Sequence, residues 1–136
     1  MEARLTEFAG EFKIKANQYS PLTLAFLGDG VFELFIRAKI VNNTNAAANT
    51  LHKKAVQYVK ASAQCEAMDK IMPYLTEEEI TMFKRGRNTK VNTRAKNASL
   101  AEYKKATGFE TLIGFLYADG QMERLEFLLK TATELE

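Results

Sequence analysis

Two carboxylates, Asp29 and Glu33, stand one helical turn apart in a segment from Pro21 to Val41 that is almost wholly apolar until Arg37 and Lys39. A carboxylate buried there needs a partner, because an unpaired buried charge is costly or neutralises itself. The partner is a basic side chain or a metal ion, and which of the two decides whether the chain does chemistry. On a helix Ala25, Asp29, Glu33 and Arg37 share one lane at four-residue spacing. The plain reading of that lane is an internal Glu33–Arg37 pair, with Asp29 capping a break in the helix. A further acid, Glu110, lies in Ala106-Thr107-Gly108-Phe109-Glu110-Thr111-Leu112-Ile113-Gly114. Its neighbours at four-residue spacing are Ala106 and Gly114, a lane of small residues that lets another helix approach closely. If Asp29 and Glu110 face each other across such a contact, two like charges meet, and a divalent cation would relieve the repulsion. Oxygen-only ligation with few protein donors suits magnesium (Mg²⁺), which keeps several of its waters.

A second chemical signal is basic. Residues 84–97, Lys84-Arg85-Gly86-Arg87-Asn88-Thr89-Lys90-Val91-Asn92-Thr93-Arg94-Ala95-Lys96-Asn97, hold six cationic residues and no acid. The stretch reads as a loop between two helices, and its amide and hydroxyl side chains add hydrogen-bonding groups suited to phosphate oxygens. A solvated connection is the alternative, but loops of this length in compact helical domains tend to be functional. Nothing in it indicates base-specific readout. His52, the only histidine, has no cysteine or second histidine to complete a zinc set and reads as a surface residue or phosphate contact. Lys53, Lys54 and Lys60 read as a solvated face. No glycine-rich phosphate loop follows a strand, and no Ser/His/Asp or Cys/His set assembles.

The elements that must position these residues read as all-α. Ser20-Pro21 is a cap followed by proline at the first helical position, where the missing N–H costs nothing. The helix to about Val41 is apolar nearly all round, which implies burial in the middle of the fold or against a second subunit. Gly28-Asp29-Gly30 argues locally for a turn, so continuity through it stays open. Helices are expected over about 49–60 and 62–74, and from Thr76-Glu77-Glu78-Glu79, a capping-box pattern, to near Asn88. A strongly periodic helix covers 102–117 after a cap at Ser99, and an amphipathic last helix covers 123–135 with Leu125, Leu128 and Leu129 inward. A short helix around Arg4 to Phe12 is expected in the N-terminal stretch.

The chain of 136 residues, with 46% hydrophobic and 26% charged residues, fits one domain with a single core. We divide it as one domain over 1–136, with 1–19 an N-terminal extension and 84–97 the basic loop. Two prolines and seven glycines argue against a turn-rich β-architecture. The lone Cys65 excludes a disulfide framework and points to a reducing, cytoplasmic setting. No run has the length of a signal peptide's apolar core or a membrane span. A net charge of +2 is too small to identify a partner.

Several motifs together resemble a known family. Phe26-Leu27-Gly28-Asp29 resembles the signature helix of the ribonuclease III family, and Phe109-Glu110-Thr111-Leu112-Ile113-Gly114 resembles its second acidic motif. The similarity is greater to the short bacterial branch, Mini-ribonuclease III, which has the nuclease domain without an attached double-stranded-RNA-binding domain. Leu51-His52, Tyr58-Val59-Lys60-Ala61-Ser62-Ala63-Gln64, Leu75-Thr76-Glu77-Glu78-Glu79, and Arg85-Gly86-Arg87-Asn88 with Lys96-Asn97 add to it, from Pro21 to the C-terminus. Two positions depart from the larger enzymes: Ala25 stands where a glutamate is expected and Thr107 where an aspartate is expected. The resemblance implies a homodimeric, all-helical endonuclease-domain bundle that cleaves double-stranded RNA, with the helix Pro21–Val41 supplying much of the dimer contact. It further implies Asp29 and Glu110 as catalytic and metal-holding residues for Mg²⁺, with Mn²⁺ as a substitute, and Glu33 and Thr107 as residues next to that site. A metal-activated water would attack phosphorus and leave 5′-phosphate and 3′-hydroxyl ends. Arg85, Arg87, Asn88, Lys90, Arg94, Lys96 and Asn97 are the RNA-binding candidates, and maturation of precursor ribosomal RNA (the 23S RNA) is the implied role. The rival readings are a non-catalytic module of the same fold binding structured RNA in a ribonucleoprotein, and a helical protein-interaction domain.

Overall fold

The computed structural model describes residues 8–90 and 99–136, and the regular structure among them is helical. Six α-helices follow one another: α1 (Pro21–Asn43), α2 (Ala48–Val59), α3 (Ala61–Ile71), α4 (Glu77–Arg87), α5 (Leu100–Ala118) and α6 (Met122–Thr133). Short 3₁₀ turns at Ala16–Gln18 and Met72–Tyr74 precede α1 and follow α3. The expected caps form. The Ser20 hydroxyl accepts from the Thr23 amide with Pro21 opening α1, and reciprocal capping boxes close at Thr76/Glu79 and Ser99/Glu102.

Helix α5 is the axis of the fold. From Ala106 to Tyr117 every residue but Glu110 is buried, and α1, α3, α4 and α6 all pack against it. Of the two settings expected for α1, the middle of the fold or a second subunit, the first is taken by α5. Helix α1 buries one lane at strict four-residue spacing, Leu24, Gly28, Phe32, Ile36 and Ile40, plus Ala25. Its other faces leave Leu22, Phe26, Leu34 and Val41 exposed. The surplus of apolar residues that suggested burial all round is thus an open surface.

Gly28-Asp29-Gly30 does not break α1, since the helix runs on through it. Propensity loses there to packing, because the glycine at 28 is required by a neighbouring backbone. The basic stretch is also partly helical: Lys84, Arg85 and Arg87 form the last turn of α4, and the loop begins only after Arg87. Cations in a last helical turn are favoured by the helix dipole, which offsets the irregular composition. Residues 91–98, including the candidates Arg94, Lys96 and Asn97, lie outside the described residues. Of the N-terminal helix expected near 4–12, residues 1–7 also lie outside them. Phe8 and Ala9 are helical, and Gly10 at φ 86° leaves the helix before Phe12. Among the described residues no helix is long and apolar enough to cross a membrane.

Candidate active site

The site is made by one helix crossing. A Cβ added to Gly28 of α1 would lie 1.9 Å from the carbonyl oxygen of Glu110, and one added to Gly114 of α5 would lie 1.9 Å from that of Leu24. The two backbones therefore touch at a pair of residues with no side chain to hold them apart. Asp29 follows Gly28 and Glu110 sits beneath it, so the crossing brings together acids 81 positions apart in the sequence.

The two carboxyl groups meet within hydrogen-bonding reach. They are not equivalent. Asp29 is exposed, which corrects the expectation of a buried carboxylate there, whereas Glu110 is recessed among the buried residues of α5. Burial, and then the hydrogen bond and the charge of Asp29, push the Glu110 pKa up from 4.5 to about 8. Without a cation Glu110 thus holds its proton near neutral pH. Opposing the rise is Gln64 of α3, whose Nε2 donates to Glu110 Oε2 at 3.5 Å.

The neighbouring candidates are placed differently. Glu33 lies 3.8 Å from the Arg37 guanidinium, the plain ion pair the spacing suggested. Thr107 is buried, and its hydroxyl donates to the Tyr103 carbonyl of its own helix. Ala25 and Thr107 are each only 6% exposed, so a carboxylate at either would be desolvated. Arg85 is half-buried and donates to the carbonyls of Asn17 at 2.8 Å and Tyr19 at 3.1 Å, tying the approach to α1 onto the end of α4. The Arg87 guanidinium lies over the Phe83 ring and donates to Asn88 Oδ1, while Asn88 and Lys90 are exposed. His52, Lys53, Lys54 and Lys60 are exposed, as expected.

The model of the Ribonuclease III domain matches residues 22–121, the span from α1 through α5. The Mini-ribonuclease 3 of Clostridium tetani is 52% identical over 131 residues, covering 94% of this chain and 87% of that protein. That of a Thermoanaerobacter species is 48% identical, covering 85% and 82%. The chain belongs to the Mini-ribonuclease III family. The crystal structure of a Fusobacterium nucleatum protein superposes with a TM-score of 0.81 at 33% identity, covering 89% of this chain and 98% of that one. A Mini-ribonuclease III is an endoribonuclease of a metal-dependent family that acts on double-stranded RNA, and the all-α reading and the family resemblance hold.

The donor set fits a hard divalent cation. Burial first, and then Asp29, raise the Glu110 pKa, and a dication between the two carboxylates would remove the part due to Asp29. Among the described residues no group of three or more His, Cys, Asp or Glu is placed to hold a metal. For an ion held here the protein's share of the ligands would be this pair, with water and phosphate needed to complete the shell. Gln64 was missed by sequence reasoning, although its signal is present: an amide on a helix lane otherwise made of Ala67, Met68 and Ile71.

Proposed function

We propose that this chain cleaves double-stranded RNA as a magnesium-dependent homodimer, with Asp29 and Glu110 as the carboxylate ligands and Mn²⁺ as a substitute. The observation that carries the reading is the meeting of those two carboxyl groups at the Gly28–Gly114 crossing. When bound, the ion supplies an acidified water and neutralises charge on the phosphate under attack. Asp29, at the exposed edge, faces the side from which RNA arrives, and Glu110 anchors the pair from within. Glu110 gives up its proton when both groups become ligands. Cleavage leaves 5′-phosphate and 3′-hydroxyl ends.

Arg87, Asn88, Lys90, Arg94, Lys96 and Asn97 grip the phosphate backbone, reading A-form shape more than sequence. Arg85 adds charge to that surface while its donors stay on the carbonyls of Asn17 and Tyr19. The dimer reading is supported by α1, which leaves Phe26 82%, Val41 61%, Leu34 53% and Leu22 47% exposed. A symmetric pair of subunits brings two acid pairs to one duplex, one for each strand. Precursor ribosomal RNA, the 23S precursor in the cytoplasm, is the proposed natural substrate.

Asp29→Asn and Glu110→Gln are each expected to lower Mg²⁺-dependent cutting of a duplex by about 100-fold or more. Binding of the same duplex in Ca²⁺ should stay near that of the unsubstituted protein. Gel-resolved cleavage beside a filter-binding titration checks this, and undiminished cutting by either variant removes the assignment.

A further inference from the structure

Gln64 is 2% exposed and faces inward from α3 with Ala67, Met68 and Ile71. Sinking an amide among carbon is unfavourable unless its polar atoms find partners. A leucine at the same place would pack without that cost. The amide's partner is the recessed acid of the site, Glu110, through a long hydrogen bond from Nε2 to Oε2 at 3.5 Å. Helix α3 thus sends one polar group across the interior to α5, and it ends on a group assigned to chemistry.

We propose that Gln64 is a positioning residue of the metal site, its amide holding Oε2 of Glu110 so that the carboxylate is kept turned toward Asp29. The inference rests on the reading of Asp29 and Glu110 as cation ligands. Two features favour it. The donor engages one carboxylate oxygen and leaves the other for an ion. And the donor is neutral: a lysine or arginine in its place would cancel the charge of the acid pair and compete with the cation. An uncharged N–H orients the acid without competing.

Gln64→Met keeps the volume and removes the donor, and Gln64→Leu does so with a different shape. Mn²⁺ affinity, read from the free-ion electron paramagnetic resonance signal, is expected to weaken about 10-fold or more in both. At fixed Mg²⁺ the kcat for duplex cleavage should fall, recovering as Mg²⁺ is raised, while KM for the duplex stays unchanged. Asp29→Asn is measured alongside. If it binds Mn²⁺ as the unsubstituted protein does, the acid-pair reading fails and this inference goes with it. If Asp29→Asn loses Mn²⁺ but Gln64→Met keeps both affinity and kcat, the inference alone fails, even should its melting temperature drop. A further measurement needs no substitution at Gln64: its assigned side-chain amide resonances should move as Mg²⁺ is added. Resonances that stay in place overturn the proposal.

Discussion

Glu110 carries the clearest consequence at the scale of single residues. Its pKa stands at about 8 in the folded protein against 4.5 ordinarily, raised first by burial and then by Asp29. In chelator the folded protein keeps a proton that the unfolded chain releases, so between those values the unfolded state binds fewer protons. Stability from this group is whole below about pH 4.5, declines as pH rises, and is lost above about pH 8. The melting temperature in chelator should therefore fall across that window relative to Glu110→Gln, whose side chain does not titrate. Parallel scans of the two proteins against pH check it, and superimposable profiles would contradict it. The choice of these two acids comes from the family resemblance, with the small neighbours of Glu110 allowing a close helix approach. Their inequality is not legible in the sequence. Which acid is recessed depends on how two helices cross, and that is no property of either helix alone.

Among the elements, α1 and α5 meet main chain against main chain at the Gly28–Gly114 crossing. Gly114→Ala would set a methyl group 1.9 Å from the Leu24 carbonyl, against backbone that has no rotamer to change. The helices must separate, at an expected cost of about 1–3 kcal/mol or more. Cleavage should fall further than the lost stability explains, by about 100-fold, because displacements near 1 Å at a reacting centre have that effect. Urea unfolding and cleavage at a temperature where the variant is folded separate the two losses. Helix existence and capping could be read locally, since Ser20, Thr76 and Ser99 each act on residues three positions away. Where the basic loop starts, after Arg87 and not at Lys84, could not, although the helix itself was expected to reach near Asn88. Residues 84–87 look like loop by composition, yet they continue a helix whose Gly86 meets Thr111, where a Cβ would lie 2.1 Å from the hydroxyl oxygen. The close fit to α5, 25 positions further on, decides the matter.

For the molecule as a whole, the face that α1 turns outward sets the expected assembly. Phe26 is 82% exposed on the helix that also carries Asp29, a large apolar side chain with no cover in one subunit. Phe26→Arg is expected to convert dimers to monomers in sedimentation equilibrium and to lower duplex cleavage, with the helical circular dichroism unchanged. A variant that sediments as the unsubstituted protein would place the interface elsewhere. The apolar excess of Pro21–Val41 was visible from composition, but its direction was not, because a helix can hide such residues within its own fold or beneath a second chain. Here the lane Leu24–Ile40 does the first and Phe26 faces the other way.

The glycine contact between α1 and α5 also separates architecture from ion traffic. Small metal-nucleated modules collapse when stripped, since coordination bonds are what hold them in shape. In this protein main chain rests on main chain at Gly28 and Gly114, and carbon packing on both sides keeps it there. On that packing the cradle is expected to keep its shape in chelator, so a molecule emptied of a dication should refill without refolding.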